Sequence, residues 1–265
     1  MRFTPTAFMG SGIGGQLIAT AIGATSGSFT SGSTNYGFFQ FSTGSFNLDI
    51  STGGNVDILI VAGGAGGFTG SLNAGNGGGG GGVSVVSARL LRGNYIVNVG
   101  TGGTANESGN PTSLTSYNLN YFVSGGFANG TSGFPQFNIA GADSGECGGS
   151  RSAGGGGGSS AQTGSSAFCP PSNIPNGADG GEGLTYNFNG TPSVYGSGGG
   201  GGGTNAAFSQ GGLGGTNAGK GANYNAAATN AINGFGGGGG GDRDGNPNAG
   251  GNGGNGTLII RYIIP

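Results

Sequence analysis

The sequence GGGGGG stands at Gly77–Gly82, Gly198–Gly203 and Gly236–Gly241, and GGGGG stands at Gly154–Gly158; these four runs decide the fold of the chain. Glycine loses more backbone freedom on folding than any other residue and has no side chain to pack, so neither a helix nor an ordinary strand is expected there. Each run is therefore either a disordered linker or a segment where bare backbones lie against one another.

An ordered glycine run has one regular conformation open to it, the polyproline-II type, with three residues per turn and a rise of about 3.1 Å per residue. A run of six residues then spans roughly 19 Å, and its N–H and C=O groups all point outward. We expect a bundle of parallel and antiparallel polyglycine-II rods. Hydrogen bonds between rods, about 1 kcal/mol net each, would offset a glycine penalty of about 0.5–1 kcal/mol per residue.

The composition excludes several classes of protein. Glycine supplies 73 of the 265 residues, without the strict G-X-Y period of collagen. Only 6% of residues are charged and the net charge is -2, so the basic footprint of a nucleic-acid-binding protein is missing. No segment reaches the ~18 consecutive apolar residues of a membrane-spanning helix. We predict neither nucleic-acid binding nor membrane insertion.

Strand signals cluster near the two ends of the chain. Short apolar or alternating runs of β-branched and aromatic residues predict eight strands: Tyr36–Phe41, Phe46–Ile50, Val56–Val61, Val83–Leu90, Tyr95–Val99, Ser113–Tyr117, Leu119–Val123 and Thr257–Ile264. Arg92, Gly93 and Asn94 lie between two of them and predict a hairpin turn. The last strand has no local partner, so we expect it to rejoin the N-terminal strands.

This arrangement predicts a mostly β protein with irregular segments and essentially no helix. The N-terminal strands and the C-terminal strand, residues 34–124 and 256–265, form a β-sandwich or sheet framework. Residues 125–255 form an inserted polyglycine-II rod bundle with surface loops. Residues 1–33 are interpreted as a docking arm, the alternative being a cleaved secretory signal, since Arg2 precedes an apolar stretch.

The residue inventory does not favour catalysis. The chain contains no His to act as a general base near neutral pH, and its nine acidic residues are scattered. A carboxylate pair for glycoside hydrolysis is conceivable from Asp143 with Glu146 or from Asp179 with Glu182, but loop polarity explains these residues more simply. We predict a non-enzymatic protein without a cofactor.

Cys147 and Cys169 are the only cysteines. A disulfide between them would add a few kcal/mol, and two buried thiols are an equal alternative. A zinc site is not expected from two thiols in a chain without His.

Aromatic residues punctuate the loops between the later glycine runs, among Asn, Ser and Thr. Such loops combine rigid contact area with adaptable hydrogen bonding, as binding loops do. We therefore name six residues as candidates for receptor binding: Tyr186, Phe188, Tyr195, Phe208, Tyr224 and Phe235. The alternative, given equal weight, is that these rings cap the rods and bury themselves.

Three stretches join strand and glycine signals: VDILIVAGGAGG from Val56, GGGGGGVSVVSARLLRGNYIVNVGTGG from Gly77, and GGNGGNGTLIIRYIIP from Gly250. Their succession resembles the glycine-rich domain of bacteriophage tail-fibre and other virion proteins, from about Tyr36 to Pro265. It is also similar, more distantly, to the distal-tip adhesins of T-even-type long tail fibres, whose polyglycine-II rods carry variable receptor-binding loops.

The resemblance implies a phage virion structural protein located on a tail fibre or another exposed virion surface. The leading hypothesis is a tail-fibre or tail-tip adhesin for host attachment. Its expected partners are a host cell-surface receptor, protein or glycan, and other virion proteins bound through the arm; homo-oligomerisation is left open. The alternative is a capsid or tail decoration (cement) protein. A third hypothesis, an ice-binding or extracellular scaffold protein, would need a flat and regular face.

Overall fold

The computed structural model describes residues 17–69, 74–128, 145–147, 151–153, 161–166, 176–204, 207–243 and 250–264, and these residues contain strands but no helix. All strand pairings are antiparallel. The mostly β fold predicted from the sequence is confirmed. In chain order the strands are β1 (Ile18–Ala21), β2 (Thr25–Ser31), β3 (Thr34–Phe41), β4 (Gly44–Thr52), β5 (Gly54–Val61), β6 (Val83–Leu90), β7 (Gly93–Val99), β8 (Thr112–Ser116), β9 (Leu119–Val123), β10 (Gly145–Cys147), β11 (Arg151–Ala153), β12 (Leu184–Tyr186), β13 (Ser193–Tyr195) and β14 (Thr257–Ile264).

Two five-stranded sheets form a sandwich. The first sheet has the order β1-β4-β7-β8-β9, and the second has the order β2-β3-β14-β5-β6. As predicted, the C-terminal strand β14 returns to the N-terminal strands, where it pairs with both β3 and β5. The inward residues of the two sheets share one core, which includes Leu48, Val97 and Leu114 of the first sheet and Ile58 and Ile260 of the second.

The predicted hairpin at Arg92–Asn94 is wrong. β6 pairs with β5 in the second sheet, whereas β7 pairs with β4 and β8 in the first, so the chain crosses between sheets at this corner. The hydroxyl of Tyr95 holds the corner, since it donates to the carbonyl oxygen of Leu91 and accepts from the N–H of Leu91, both at 3.0 Å. The hydrogen bonds between Tyr95 and Leu91 therefore hold this corner in place of the backbone hydrogen bonds that would join the two strands of a hairpin.

Six strands continue directly into extended rods with no intervening loop. β5 leads into residues 62–68 and β7 into 100–104, while residues 250–256 lead into β14. In the same way 74–82 leads into β6, 107–111 into β8, and β9 into 124–127. The buried Thr112 seals this junction between the sheets, since its hydroxyl donates to the carbonyl oxygen of Val61 at 2.8 Å. Sandwich and rods are thus one continuous hydrogen-bonded structure.

The rod formed by residues 62–68 shows the three-residue period of the polyglycine-II conformation. The N–H groups of 62, 65 and 68 donate to residues 82, 79 and 76, those of 63 and 66 to residues 110 and 107, and those of 64 and 67 to residues 254 and 251, all at 2.8–3.0 Å. Three further rods donate to it, through Gly103, Gly126 and Gly239. This rod therefore has six neighbours, as in a hexagonal lattice.

Close approach of the backbones explains why glycine occupies two of every three positions in this rod. A Cβ added at Gly64 would overlap the carbonyl oxygen of Gly237, and one at Gly67 would overlap that of Gly240. The third position has room, and Ala62 and Ala65 lie there fully buried. This central rod therefore requires an X-G-G pattern, in which uninterrupted glycine is only one form.

The predicted domain limits differ from this arrangement. Four rods precede residue 125, because strands run straight into rods, so the bundle is not confined to 125–255. Residues 18–31 of the predicted arm form β1 and β2 of the two sheets, while residues 1–16 lie outside the described residues. The glycine run Gly154–Gly158 also lies outside them.

We expect Gly64→Ala to destabilise the protein by more than about 3 kcal/mol or to prevent folding, because its Cβ has no room in a fixed backbone lattice. The neighbouring Ala65→Gly is the control and should cost about 1 kcal/mol. Urea or thermal unfolding followed by circular dichroism measures both. Equal effects of the two substitutions would contradict the lattice argument.

Candidate functional site

The rods end in a surface at the far side of the bundle from the sandwich. Phe68 lies six residues beyond Ala62, the first rod residue after β5, and about 19 Å away at the polyglycine-II rise. Its carbonyl oxygen accepts from the N–H of Asp242 at 3.0 Å, so the rods 62–68 and 236–243 finish together. We call the exposed or half-buried side chains at this end, Phe68, Phe208, Tyr224 and Arg243, the distal tip.

Backbone and side-chain contacts fix Tyr224 and Arg243 relative to each other. The N–H of Tyr224 donates to the carbonyl oxygen of Ser209 at 3.2 Å. Nη1 of Arg243 donates to the carbonyl oxygen of Tyr224 at 2.8 Å, and its guanidinium carbon lies 5.7 Å from the centre of the Tyr224 ring. Such a cation–π pair presents a flat aromatic surface beside a positive charge.

Phe208 is the most unusual residue of the distal tip. Its side chain is 85% exposed, and its backbone has φ = 71°, in the left-handed region. The backbones of Asn106 and Asn217 are also left-handed, but Asn tolerates this conformation. A bulky residue adopts it only at a conformational cost of about 1 kcal/mol. Neither the backbone nor the exposed ring of Phe208 stabilises the fold, which is typical of a residue kept for contact with another molecule.

The other four predicted aromatics lie elsewhere. The hairpin β12–β13 packs on the outer face of the second sheet, where Phe188 and Tyr195 are only 3% and 2% exposed. Tyr186 and Phe235 are half-buried beside them, with ring centroids 6.1 Å from Phe188 and 5.7 Å from Tyr195 respectively. Because the rings of Phe188 and Tyr195 are buried, they cannot contact a receptor. For these two residues the alternative prediction, that the aromatic rings bury themselves in the fold, describes the structure.

A family model described as the glycine-rich domain matches residues 40–263. The chain belongs to the glycine-rich domain family. The matched region contains the rods and most strands of both sheets, whereas β1, β2 and most of β3 precede it. No curated protein and no solved structure is significantly similar to the chain.

Arg261 fastens the buried hairpin of this glycine-rich domain to the second sheet. Its guanidinium lies between the rings of Tyr36 and Phe188, at 4.8 and 4.5 Å from their centres. Nη1 donates to the carbonyl oxygen of Asn187 at 3.1 Å, and Nη2 donates to Oδ2 of Asp57 at 2.8 Å. Arg261 is not among the residues predicted from the sequence, although a lone charge within the apolar strand TLIIRYII is a usable signal.

The carboxyl of Asp57 is held in its ionised form. Burial alone would raise its pKa, but hydrogen bonds from Arg261 and Ser87, together with the positive charge of Arg261, outweigh burial and lower the pKa from 3.8. The Ser87 hydroxyl donates to Oδ1 of Asp57 at 2.7 Å. The contact is therefore charged on both sides at neutral pH.

Asp179 and Glu182 of the glycine-rich domain act as hydrogen-bond acceptors for a neighbouring rod. Oδ1 of Asp179 accepts from the N–H of Leu213 at 2.6 Å, and Oε2 of Glu182 accepts from that of Thr216 at 2.9 Å. Asn176 Oδ1 accepts in the same way from Gln210. These three side chains, which we call the capping ladder, recur every third residue, a spacing that the sequence displays.

The remaining candidates fall partly outside the described residues. Asp143, Cys169 and the side chains of Glu146 and Cys147 lie there, so the disulfide stays a prediction. Among the described residues, no group of three or more His, Cys, Asp and Glu side chains could hold a metal ion. The same residues include no helix that could span a membrane.

We expect Phe188→Ala to destabilise the glycine-rich domain by about 3–5 kcal/mol, because a fully packed ring would leave a cavity under Arg261. Phe208→Ala removes an exposed ring and should change stability by no more than about 0.5 kcal/mol. Thermal unfolding of both variants is the measurement, and a large loss for Phe208→Ala would show that its ring packs in the fold.

The stability of the domain should also fall in acid. A carboxyl whose folded pKa is lowered contributes stability above its unfolded pKa, about 3.9, and loses it as the pH falls through the folded value. Urea unfolding between pH 7 and pH 3 should therefore show a decline below about pH 4. Asp57→Asn should be less stable at pH 7 and should lack this part of the decline; identical pH profiles would contradict the assignment.

Proposed function

We propose that this glycine-rich domain is a non-enzymatic bacteriophage virion protein, a tail-fibre or tail-tip adhesin that presents its distal tip to a receptor on the host cell surface. The observation that carries the proposal is Phe208, a bulky exposed ring held on a strained backbone at the far end of the rods. Tyr224 and Arg243 add an aromatic face and a positive charge beside it.

The rod bundle supports this role through rigidity. Each rod bonds to its neighbours at every third residue, so the segments that reach the tip are fixed along their whole length. A binding surface whose backbone is already ordered loses little conformational entropy when it binds. Aromatic and Arg side chains are also the residue types that most often dominate binding energy at interfaces.

In this proposal the two ends of the molecule have different partners. The distal tip contacts the receptor, a protein or a glycan. The sandwich side, with the segment that precedes β1, contacts other virion proteins. A virion location follows from these two roles together.

Virions carrying Phe208→Ala or Tyr224→Ala should adsorb to host cells more slowly, because a central aromatic contact contributes about 2 kcal/mol, or ~30-fold in affinity. Ile232→Ala is the matched control, since Ile232 is also an exposed apolar residue but lies on the side of the rod bundle, where its N–H donates to the carbonyl oxygen of Asn217. Adsorption rate constants and thermal unfolding of each variant are measured together.

Normal incorporation with unchanged adsorption for both tip variants would overturn the adhesin role. It would favour the decoration protein, whose tip binds no receptor and whose role depends only on its contact with neighbouring virion proteins.

A further inference from the structure

The outer face of the first sheet carries four asparagines that the fold does not use. Asn47 on β4, Asn94 and Asn98 on β7 and Asn120 on β9 are all exposed on this face, since their neighbours in each strand point into the core. Asn is depleted in strands, because its side chain competes for backbone hydrogen bonds and packs poorly on a pleated surface. Four on one sheet face are therefore a local cost.

The asparagines of the rod bundle form hydrogen bonds within the fold, whereas those of the sheet face do not. In the bundle, the side-chain oxygens of Asn176, Asn223, Asn230 and Asn233 each accept from a backbone N–H at 2.8–3.0 Å. Within the described residues, no hydrogen bond engages the side-chain amides of Asn47, Asn94, Asn98 or Asn120. Each keeps its donors and acceptor available to a ligand.

The strand register arranges these amides among hydroxyl and apolar side chains. Asn47 lies opposite Ile96, which lies opposite Thr115 on β8. Asn98 lies opposite Ser45 on one side and Ser113 on the other. Neighbouring strands are about 4.8 Å apart, so donors and acceptors recur across the face at that interval.

A groove crosses this array. It has a volume of about 570 Å³ and is lined by Asn47, Asn94, Ile96, Thr115, Ser116 and Tyr117. Tyr117, at the turn between β8 and β9, is 100% exposed, and Ile96 is about half exposed. An amide pair, two hydroxyls, an aliphatic side chain and a free aromatic ring therefore line one open groove.

The charge of the face limits its ligand. The strands β1, β4, β7, β8 and β9 contain no Lys or Arg, and their one acidic residue is Asp49. No Lys or Arg lines the groove, so phosphate, sulfate and carboxylate groups would have no cation to bind within it, and Asp49, opposite Asn94, would repel them. The ligand is accordingly uncharged, rich in hydroxyls, and apolar on one side.

We propose that this groove binds a neutral glycan. The amides of Asn47 and Asn94 and the hydroxyl of Ser116 exchange hydrogen bonds with sugar hydroxyls, and the ring of Tyr117 and Ile96 cover the C–H face of a sugar. The hydroxyl of Thr115, which donates to the carbonyl oxygen of Ile96 at 3.5 Å, accepts from a sugar hydroxyl. A second copy of the chain fits less well, since homodimer interfaces are mainly apolar and this face would bury unpaired amides. The site is separate from the distal tip and does not depend on the proposed function.

The test is calorimetric titration of the full chain with neutral oligosaccharides of glucose, galactose and mannose. Polygalacturonate serves as the acidic probe. At least one neutral series should bind, and Tyr117→Ala and Asn94→Ala should each weaken that binding by about tenfold or more. Asn55→Ala on the second sheet is the control and should bind as the unsubstituted protein does. Thermal unfolding checks that the variants remain folded.

Several results would overturn the proposal. They are no binding of any neutral probe at millimolar concentration, tighter binding of polygalacturonate, and equal binding by Tyr117→Ala and Asn94→Ala. Concentration-dependent dimerisation abolished by Asn94→Lys would instead assign the face to a second copy of the chain. Thermal hysteresis without glycan binding would assign it to ice.

Discussion

The hydrogen bond between two bare backbones at polyglycine-II spacing is the interaction on which this structure depends. In the central rod 62–68 it requires that two of every three residues have no Cβ, because carbonyl oxygens of neighbouring rods occupy that space. The third residue is then free to vary, and Ala, Thr, Asn, Asp and Glu occupy it in different rods. Since each rod bonds to several others, a substitution inside one affects its neighbours as well.

Residue patterns located eight of the fourteen described strands and only some of the rods. β1, β2 and β10–β13 were not predicted, because they are short or consist mainly of small and polar residues. Segments such as VDILIV and TLIIRYII predict strands because apolar residues have few other places to lie in so polar a chain. The rods at 62–68 and 100–104 were assigned to the β framework because X-G-G segments do not look like glycine runs. The crossing at Leu91 was missed because a two-residue connection is compatible with both a hairpin and a change of sheet.

The same limit applies to the site. Six aromatics occur in similar glycine-rich surroundings, and only the fold separates Phe208 and Tyr224 at the distal tip from Phe188 and Tyr195 under the hairpin. Leu184, Tyr186 and Phe188 do alternate, which is a strand signal that distinguishes the buried group. No local pattern marks Phe208, because its position depends on rods that pair through residues far apart in the chain.

The capping ladder limits the number of rods that the bundle can contain. Polyglycine II is a crystalline form, and each added rod offers fresh N–H groups for another. Asn176, Asp179 and Glu182 occupy those groups on the rod at 209–216, as Asn230 and Asn233 do on the rod at 250–256. These side chains therefore resemble the adsorbed impurities that stop growth at a crystal face. The sequence thus specifies a crystallite that ends where its own side chains occupy the N–H groups that a further rod would need.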